Sequence, residues 1–235
     1  MIYVMSDIHG CYEEYLEALE LIHFSDEDEL YIVGDIVDRG KDPIPLLQDL
    51  MIRSNVFPIL GNHDYMALTV LKKLCVEIVE ENVETHVSME DMMNYYSWVK
   101  EGGYTTLKQF QQLSYEEKMD IIAYLEEFLI CEEVHVNNET YILAHAGISN
   151  FEEKKRIYDY SFIDLIFTAC DYTKPYYQDA YFVSGHTPTF KIDASYKGKI
   201  YEKNNHIALD CGCIYGLNLG VYCLDTKKAY YVKKK

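Results

Sequence analysis

The first sixty residues repeat one pattern three times: a short apolar run, a polar cluster, then a helical stretch. Met1–Met5 leads into Ser6-Asp7-Ile8-His9-Gly10, Leu30–Val33 into Gly34-Asp35, and Val56–Leu60 into Gly61-Asn62-His63-Asp64. Between the first two runs, Tyr12, Tyr15, Leu16, Leu19 and Ile22 recur at helical spacing, and between the next two a helix is expected around Pro43–Met51, with proline in its first turn. Such a rhythm predicts a βαβαβ start on a parallel sheet. Polar clusters just after strands fall where open α/β sheets bind ligands.

Residues 63–130 read as mostly helical, with Trp98–Phe110 as a loop followed by a helix. From residue 131 the pattern turns to β. A hairpin is predicted at Asn137-Asn138, and strands at Tyr181–Val183, His206–Leu209, Leu219–Cys223 and Ala229–Val232. The closing Lys233-Lys234-Lys235 reads as a frayed end. With no internal repeat and no linker, one domain over 1–235 is expected, its helical segment at about 64–130.

Composition narrows the function classes. Twenty-one basic against 39 acidic residues give a net charge of −18, which argues against long nucleic acids and against a polybasic membrane-surface protein. The N-terminus lacks the basic and apolar regions of a signal peptide, and no run is long enough to span a bilayer, so a cytoplasmic, soluble chain is expected. Seven scattered cysteines include one close pair, Cys211 and Cys213, a weak zinc signal better read as small buried thiols. The acidic stretch Glu77, Glu80, Glu81, Glu84, Glu90 and Asp91 reads as a solvated face.

Five clusters carry the chemistry: Asp7-Ile8-His9-Gly10, Gly34–Gly40, Gly61–Asp64, His145-Ala146-Gly147 and Gly185-His186-Thr187. Carboxylate and imidazole together suit manganese, iron or zinc. A carboxylate such as Asp35 can bridge two ions, an arrangement suited to in-line displacement at phosphorus. His9, His63, His145 and His186 fall in these clusters; His23, His86, His135 and His206 do not, and read as structural. Only three arginines occur, Arg39, Arg53 and Arg156, and the one inside Asp38-Arg39-Gly40 is singled out as functional.

This order of motifs resembles the calcineurin-like metallophosphoesterases, and Gly34–Gly40 is similar to the phosphoprotein phosphatases, above all the small bacterial and phage branch. That branch includes lambda-phage type serine/threonine phosphatases and symmetrical diadenosine tetraphosphate hydrolases. Trp98–Leu107 and Leu209–Gly216 also look like that branch. The resemblance implies an α/β fold, a four-layer α/β/β/α sandwich of two mixed sheets with outer helices and the site at one sheet edge. It implies two divalent metal ions, manganese first, with iron, zinc, nickel or cobalt as alternatives. Asp7, His9 and Asp35 would hold the first ion, and Asp35, Asn62, His145 and His186 the second. His63, kept charged by Asp38, would be the general acid, and Arg39 with Asn62 and His63 would grip phosphate.

The chain departs from the pattern at Leu60 and Ala169, where relatives carry phosphate-gripping arginines; Lys174 or Lys154-Lys155-Arg156 is expected to substitute. Twenty-three tyrosines, five of them between 158 and 177, read first as composition bias and second as an aromatic wall. The expected activity is hydrolysis of a phosphate monoester by attack of a metal-activated water, with phosphoserine or phosphothreonine in a protein or peptide as substrate. The alternative is a nucleotide substrate, diadenosine tetraphosphate. A lesser one is a low-turnover phosphoprotein-binding regulator. Oligomeric state is not set by the sequence.

Overall fold

The computed structural model describes residues 1–75 and 88–235. Glu77, Glu80, Glu81, Glu84 and His86 therefore lie outside the described residues.

The predicted opening is present as β1 (Ile2–Met5), α1 (Tyr12–Leu21), β2 (Glu29–Val33), α2 (Pro43–Met51) and β3 (Val56–Ile59). Both strand pairs are parallel, and the late strands β9 (Asn218–Cys223) and β10 (Lys228–Lys233) return antiparallel, giving the order β10-β9-β1-β2-β3. A second sheet orders β4-β5-β6-β8-β7, from β4 (Cys131–Val136), β5 (Glu139–Ala144), β6 (Ala180–Ser184), β7 (Tyr201–Lys203) and β8 (His206–Ala208). Asn137 and Asn138, at φ 52° and 64°, make the predicted hairpin turn, and Asn204 and Asn205 make a second that closes β7 onto β8. Strand β7 escapes sequence reading because Tyr201-Glu202-Lys203 offers one apolar residue followed by two charged ones, whereas the equally short β8 runs on into the apolar Leu209.

The alternation of side chains puts the layers together. Val4, Val33 and Ile59 of the first sheet meet Tyr141, Leu143 and Val183 of the second in a common core between the sheets. Tyr3, Met5, Leu30 and Ile32 face the opposite way, onto α1, α2, α3 (Asn62–Leu74), α5 (Tyr104–Phe110) and α6 (Tyr115–Glu126). On α1, Tyr15, Ala18 and Leu19 are buried, whereas Leu16, placed on the same face by spacing, is exposed. The outer face of the second sheet carries little helix: α7 (Phe162–Ile166) and irregular chain, sealed by Ile148, Ile157, Tyr160, Tyr176 and Phe182. The tyrosines between 158 and 177 are thus spent mainly as packing. Tyr176 stacks edge-on to Phe182 and His206, and Tyr172 to Tyr201.

The helix expected within Trp98–Phe110 is α5, and it follows α4 (Met89–Trp98) across a kink at Val99–Gly103, where Gly102 takes a non-helical φ of 112°. One expectation is corrected at the chain's end. The C-terminus is not frayed. Lys234 Nζ donates to the buried Glu14 carboxylate at 2.9 Å, and Lys235 pairs with Glu17. No helix of the described residues is long and apolar enough to cross a membrane.

Candidate metal centre

All five polar clusters converge at the C-terminal ends of β1, β2, β3, β5 and β6. The site spans both sheets at these strand ends, rather than an edge of one, because parallel strands from both sheets end on the same side. Holding the residues there takes strained backbone. Asp7, His9, Asp35, Asp38, Arg39 and His186 all have positive φ, between 47° and 71°. The other non-glycine residues with positive φ among those described are five asparagines, His23 and Lys227. Each such residue costs on the order of 1–3 kcal/mol, and strain of this kind persists where packing over-determines the loop. Gly34, at φ +77°, also leaves room for a ring: a Cβ there would stand 2.7 Å from His145 Cγ.

Asp64 locks the second loop. Its carboxylate is fully buried and accepts N–H bonds from Asp35 (2.9 Å), Ile36 (3.0 Å), Val37 (3.2 Å) and Gly61 (3.0 Å). Burial and the charge of Asp35 push its pKa up to about 7 against the N–H groups of Gly61, Val37 and Ile36. The sequence marks Asp64 as the acidic end of Gly61–Asp64 but carries no sign of this bracing role.

The four clustered histidines differ in what braces them. His9 Nδ1 donates to Val37 O and His145 Nδ1 to Val33 O, each at 2.9 Å. A ring nitrogen that donates to a carbonyl leaves its other nitrogen as a lone pair. Those lone pairs point inward. His9 Nε2 stands 3.5 Å from Asp35 Oδ2, and His145 Nε2 stands 3.3 Å from Asp35 Oδ1. Asn62 Oδ1 lies 3.0 Å from His145 Nε2 and 2.9 Å from His186 Nδ1. Burial holds the pKa of all three rings down, that of His145 to about 4.

His63 is different. Its Nδ1 donates to the Asp38 carboxylate at 2.8 Å. Burial opposes a charge on this ring, but Asp35 and Asp38 outweigh it and raise the pKa. Asp38 is itself fixed from α4 and α5. Trp98 Nε1 donates to Oδ2 at 2.8 Å and Thr106 Oγ1 to Oδ1 at 2.7 Å. The kink at Val99–Gly103 also cradles Arg39, whose N–H donates to Gly102 O (3.0 Å) and whose Nε donates to Glu101 O (3.3 Å). A Cβ on Gly102 would lie 2.6 Å from Arg39 Cγ. The guanidinium then reaches across the site, donating to His9 Nε2 (2.9 Å) and His63 Nε2 (2.8 Å).

The donor set fits a pair of divalent cations. Ligand atoms of His9, Asp35 and His63 lie within 4.8 Å of one another, and so do those of Asp35, His145 and His186, with Asp35 common to both groups. His63 stands in the first group, but its carboxylate brace suits a proton carrier rather than a neutral ligand. Asp7 accepts from Ser6 Oγ (2.6 Å) and from the His186 N–H (3.0 Å). Burial, Asp210 and Asp35 drive the Asp7 carboxyl well above its usual range, and Asp210 itself is pushed up to about 7 by burial. Crowded buried carboxylates facing imidazole lone pairs are what hard, borderline divalent ions stabilise.

The expected substitutes for the missing arginines are not brought in. Lys174 pairs with Asp171, Arg156 with Asp159, and Lys155 sits over the Tyr160 ring. Leu60 is core, and Ala169 is exposed. Near Ala169 the rim is aromatic: Phe167, 42% exposed, lies edge-on to Tyr65 at 6.4 Å, and Tyr65 tilts against Phe162 at 5.0 Å.

Comparison with known proteins agrees with this architecture. The chain is 35% identical over 101 residues to a symmetrical bis(5'-nucleosyl)-tetraphosphatase of Wigglesworthia glossinidia brevipalpis, and 33% over 100 residues to one of Coxiella burnetii. These matches cover 42% of this chain and only 37% and 34% of those relatives' lengths. Among solved structures, a protein provisionally described as a diadenosine tetraphosphatase matches with a TM-score of 0.65 at 22% identity, over all of this chain and 93% of the other. A serine/threonine phosphatase of Saccharomyces cerevisiae matches at 0.58 and 14%, over 99% and 79%. At such identities the structural likeness is one of fold. The calcineurin-like phosphoesterase family description matches residues 1–218, nearly the whole chain, and on that match and this architecture the chain belongs to the calcineurin-like phosphoesterase family.

Proposed function

We propose that the chain is a metal-dependent phosphoric ester hydrolase whose substrate is a dinucleoside polyphosphate. The chemistry rests on one observation: the Asp35 carboxylate lies between His9 on one side and His145 on the other, with Arg39 and His63 beside it. Asp7, His9 and Asp35 would hold one divalent ion, and Asp35, Asn62, His145 and His186 the second. When bound, the ions would neutralise phosphoryl charge and supply an acidified water as nucleophile.

The chain's own residues do the rest. The Arg39 fork matches phosphoryl oxygens, and a phosphate drawing it off His63 Nε2 frees that nitrogen to carry a proton. Asp38 keeps the proton on His63 until the leaving oxygen takes it. Trp98 and Thr106 fix the carboxylate, so the imidazole keeps one orientation.

The substrate class rests on the curated relatives, which are symmetrical bis(5'-nucleosyl)-tetraphosphatases. This moves the weight from the phosphoprotein reading that Gly34–Gly40 favours. The aromatic rim at Phe167 and Tyr65 is the kind of surface on which a nucleobase stacks, and it stands where a second arginine is absent. Purified chain with manganese, offered diadenosine tetraphosphate and a phosphoserine peptide side by side, is expected to cleave the nucleotide with the higher kcat/KM. Preference for the peptide would restore the phosphatase reading. Negligible turnover of both, with retained phosphopeptide binding, would favour the regulator.

A further inference from the structure

We infer that Cys11 and Cys213 form a redox pair that closes to a disulfide when a hydroperoxide reaches it. The two residues of the Cys211–Cys213 motif part company in the fold. Cys211 packs between the sheets, and Cys213 turns into the helix-side core. There its sulfur meets Cys11, with both sulfurs and the Glu14 carboxylate all within 4.8 Å of one another. The pair joins residues 202 positions apart (213 − 11), which no sequence spacing reveals.

The surroundings favour oxidation over ion binding. Glu14, the third group, already accepts from Lys234 Nζ at 2.9 Å and from the Lys235 N–H at 3.2 Å. Two thiols remain, one short of the three protein ligands of a minimal zinc site. Both are buried, 1% and 2% exposed, yet Cys11 lines a cavity of about 240 Å³ shared with Gly10, Glu14, Lys41 and Lys234. That cavity is the route by which a small hydroperoxide would reach Cys11.

The balance closes without another reductant. Cys11 sulfur attacks the distal peroxide oxygen, the O–O bond breaks, and the thiol proton leaves with the departing alcohol or water, giving a sulfenic acid. Cys213 sulfur then attacks the Cys11 sulfur, the S–O bond breaks, and water carries away the second thiol proton. Two electrons pass from the thiols to the peroxide.

Forming the bond draws the sulfurs to about 2 Å. Cys11 follows His9 by two residues through Gly10, whose N–H donates to Ile36 O and whose carbonyl accepts from the Asp42 N–H. Cys213 follows Asp210 by three. Both flanking loops therefore shift, and hydrolysis, if it is the activity, falls several-fold until a thiol reductant restores it.

The deciding experiment reads mass, so it stands apart from any activity. Reduced full-length chain is treated with hydrogen peroxide, alkylated, digested and mapped. The expected result is a peptide pair crosslinked through Cys11 and Cys213, two of the seven thiols lost, and reversal by dithiothreitol. Cys213→Ala, checked for native circular dichroism, should instead trap a dimedone-reactive Cys11. If that variant does not fold, the wild-type map alone decides. Cys11 arrested as sulfinic acid with Cys213 free, oxidation confined to other thiols, or thiols shielded by co-purified zinc would each overturn the inference.

Discussion

The two sheets contribute unequal halves to the centre. The loops of the first sheet carry the groups that meet charge: Arg39, the His63–Asp38 pair, and behind them Trp98, Thr106 and the kink at Val99–Gly103. The loops of the second sheet offer His145, braced by the Val33 carbonyl, and His186, both beside Asn62 Oδ1 and next to a rim of Phe167 and Ala169. The same residue type does opposite work under the two kinds of brace, with His9 of the first half joining His145 of the second among the neutral rings. A histidine that donates to a backbone carbonyl is kept neutral and offers a lone pair; one that donates to a buried carboxylate is kept chargeable. The account therefore places proton transfer and phosphate grip on the first half, and substrate selection on the second.

Five substitutions sharpen or break that division. His63→Asn should cut kcat by about 100- to 10,000-fold with bound metal unchanged, since general-acid catalysis contributes on that scale. A small loss, or loss of metal, would move His63 from acid to ligand. Trp98→Phe removes one hydrogen bond to Asp38 while keeping most of the ring volume, and should lower kcat about tenfold at constant KM. Combined with Thr106→Val, the effects should be non-additive, because both donors orient one carboxylate. Steady-state kinetics on the double-mutant cycle checks this.

On the second half, Phe167→Ala should raise KM for diadenosine tetraphosphate roughly fivefold or more, a low value for base stacking. It should leave a phosphoserine peptide nearly unchanged, so equal shifts on both substrates would remove the selective role of that rim. Lys174→Ala should leave both within about twofold, because an exposed surface pair such as Lys174–Asp171 contributes little. A larger effect would bring Lys174 back as the substitute cation.

Much of this was legible in the chain. The parallel start, α2 from Pro43 to Met51, the Asn137-Asn138 turn and the clustering of Asp7, His9, Asp35, Asn62, His145 and His186 follow from periodicity, turn chemistry and motif order. The braces were not. Trp98 and Thr106 act on Asp38 across sixty or more residues, a reach that no local periodicity shows. The Cys11–Cys213 approach and the Lys234–Glu14 pair are likewise contacts between chain ends that only the closed sheet creates. The cationic run at 154–156 misled because nearness in sequence was its only support. Its partners are local carboxylates and a tyrosine face.

The claim that Asp35 joins the two halves is open to one direct measurement: metal content after manganese loading and removal of free ion, for wild type and Asp35→Asn at matched folding. The account predicts two ions per wild-type chain and fewer than one in the variant, since one carboxylate serves both positions. A single ion in the wild type, or two retained in Asp35→Asn, would contradict it.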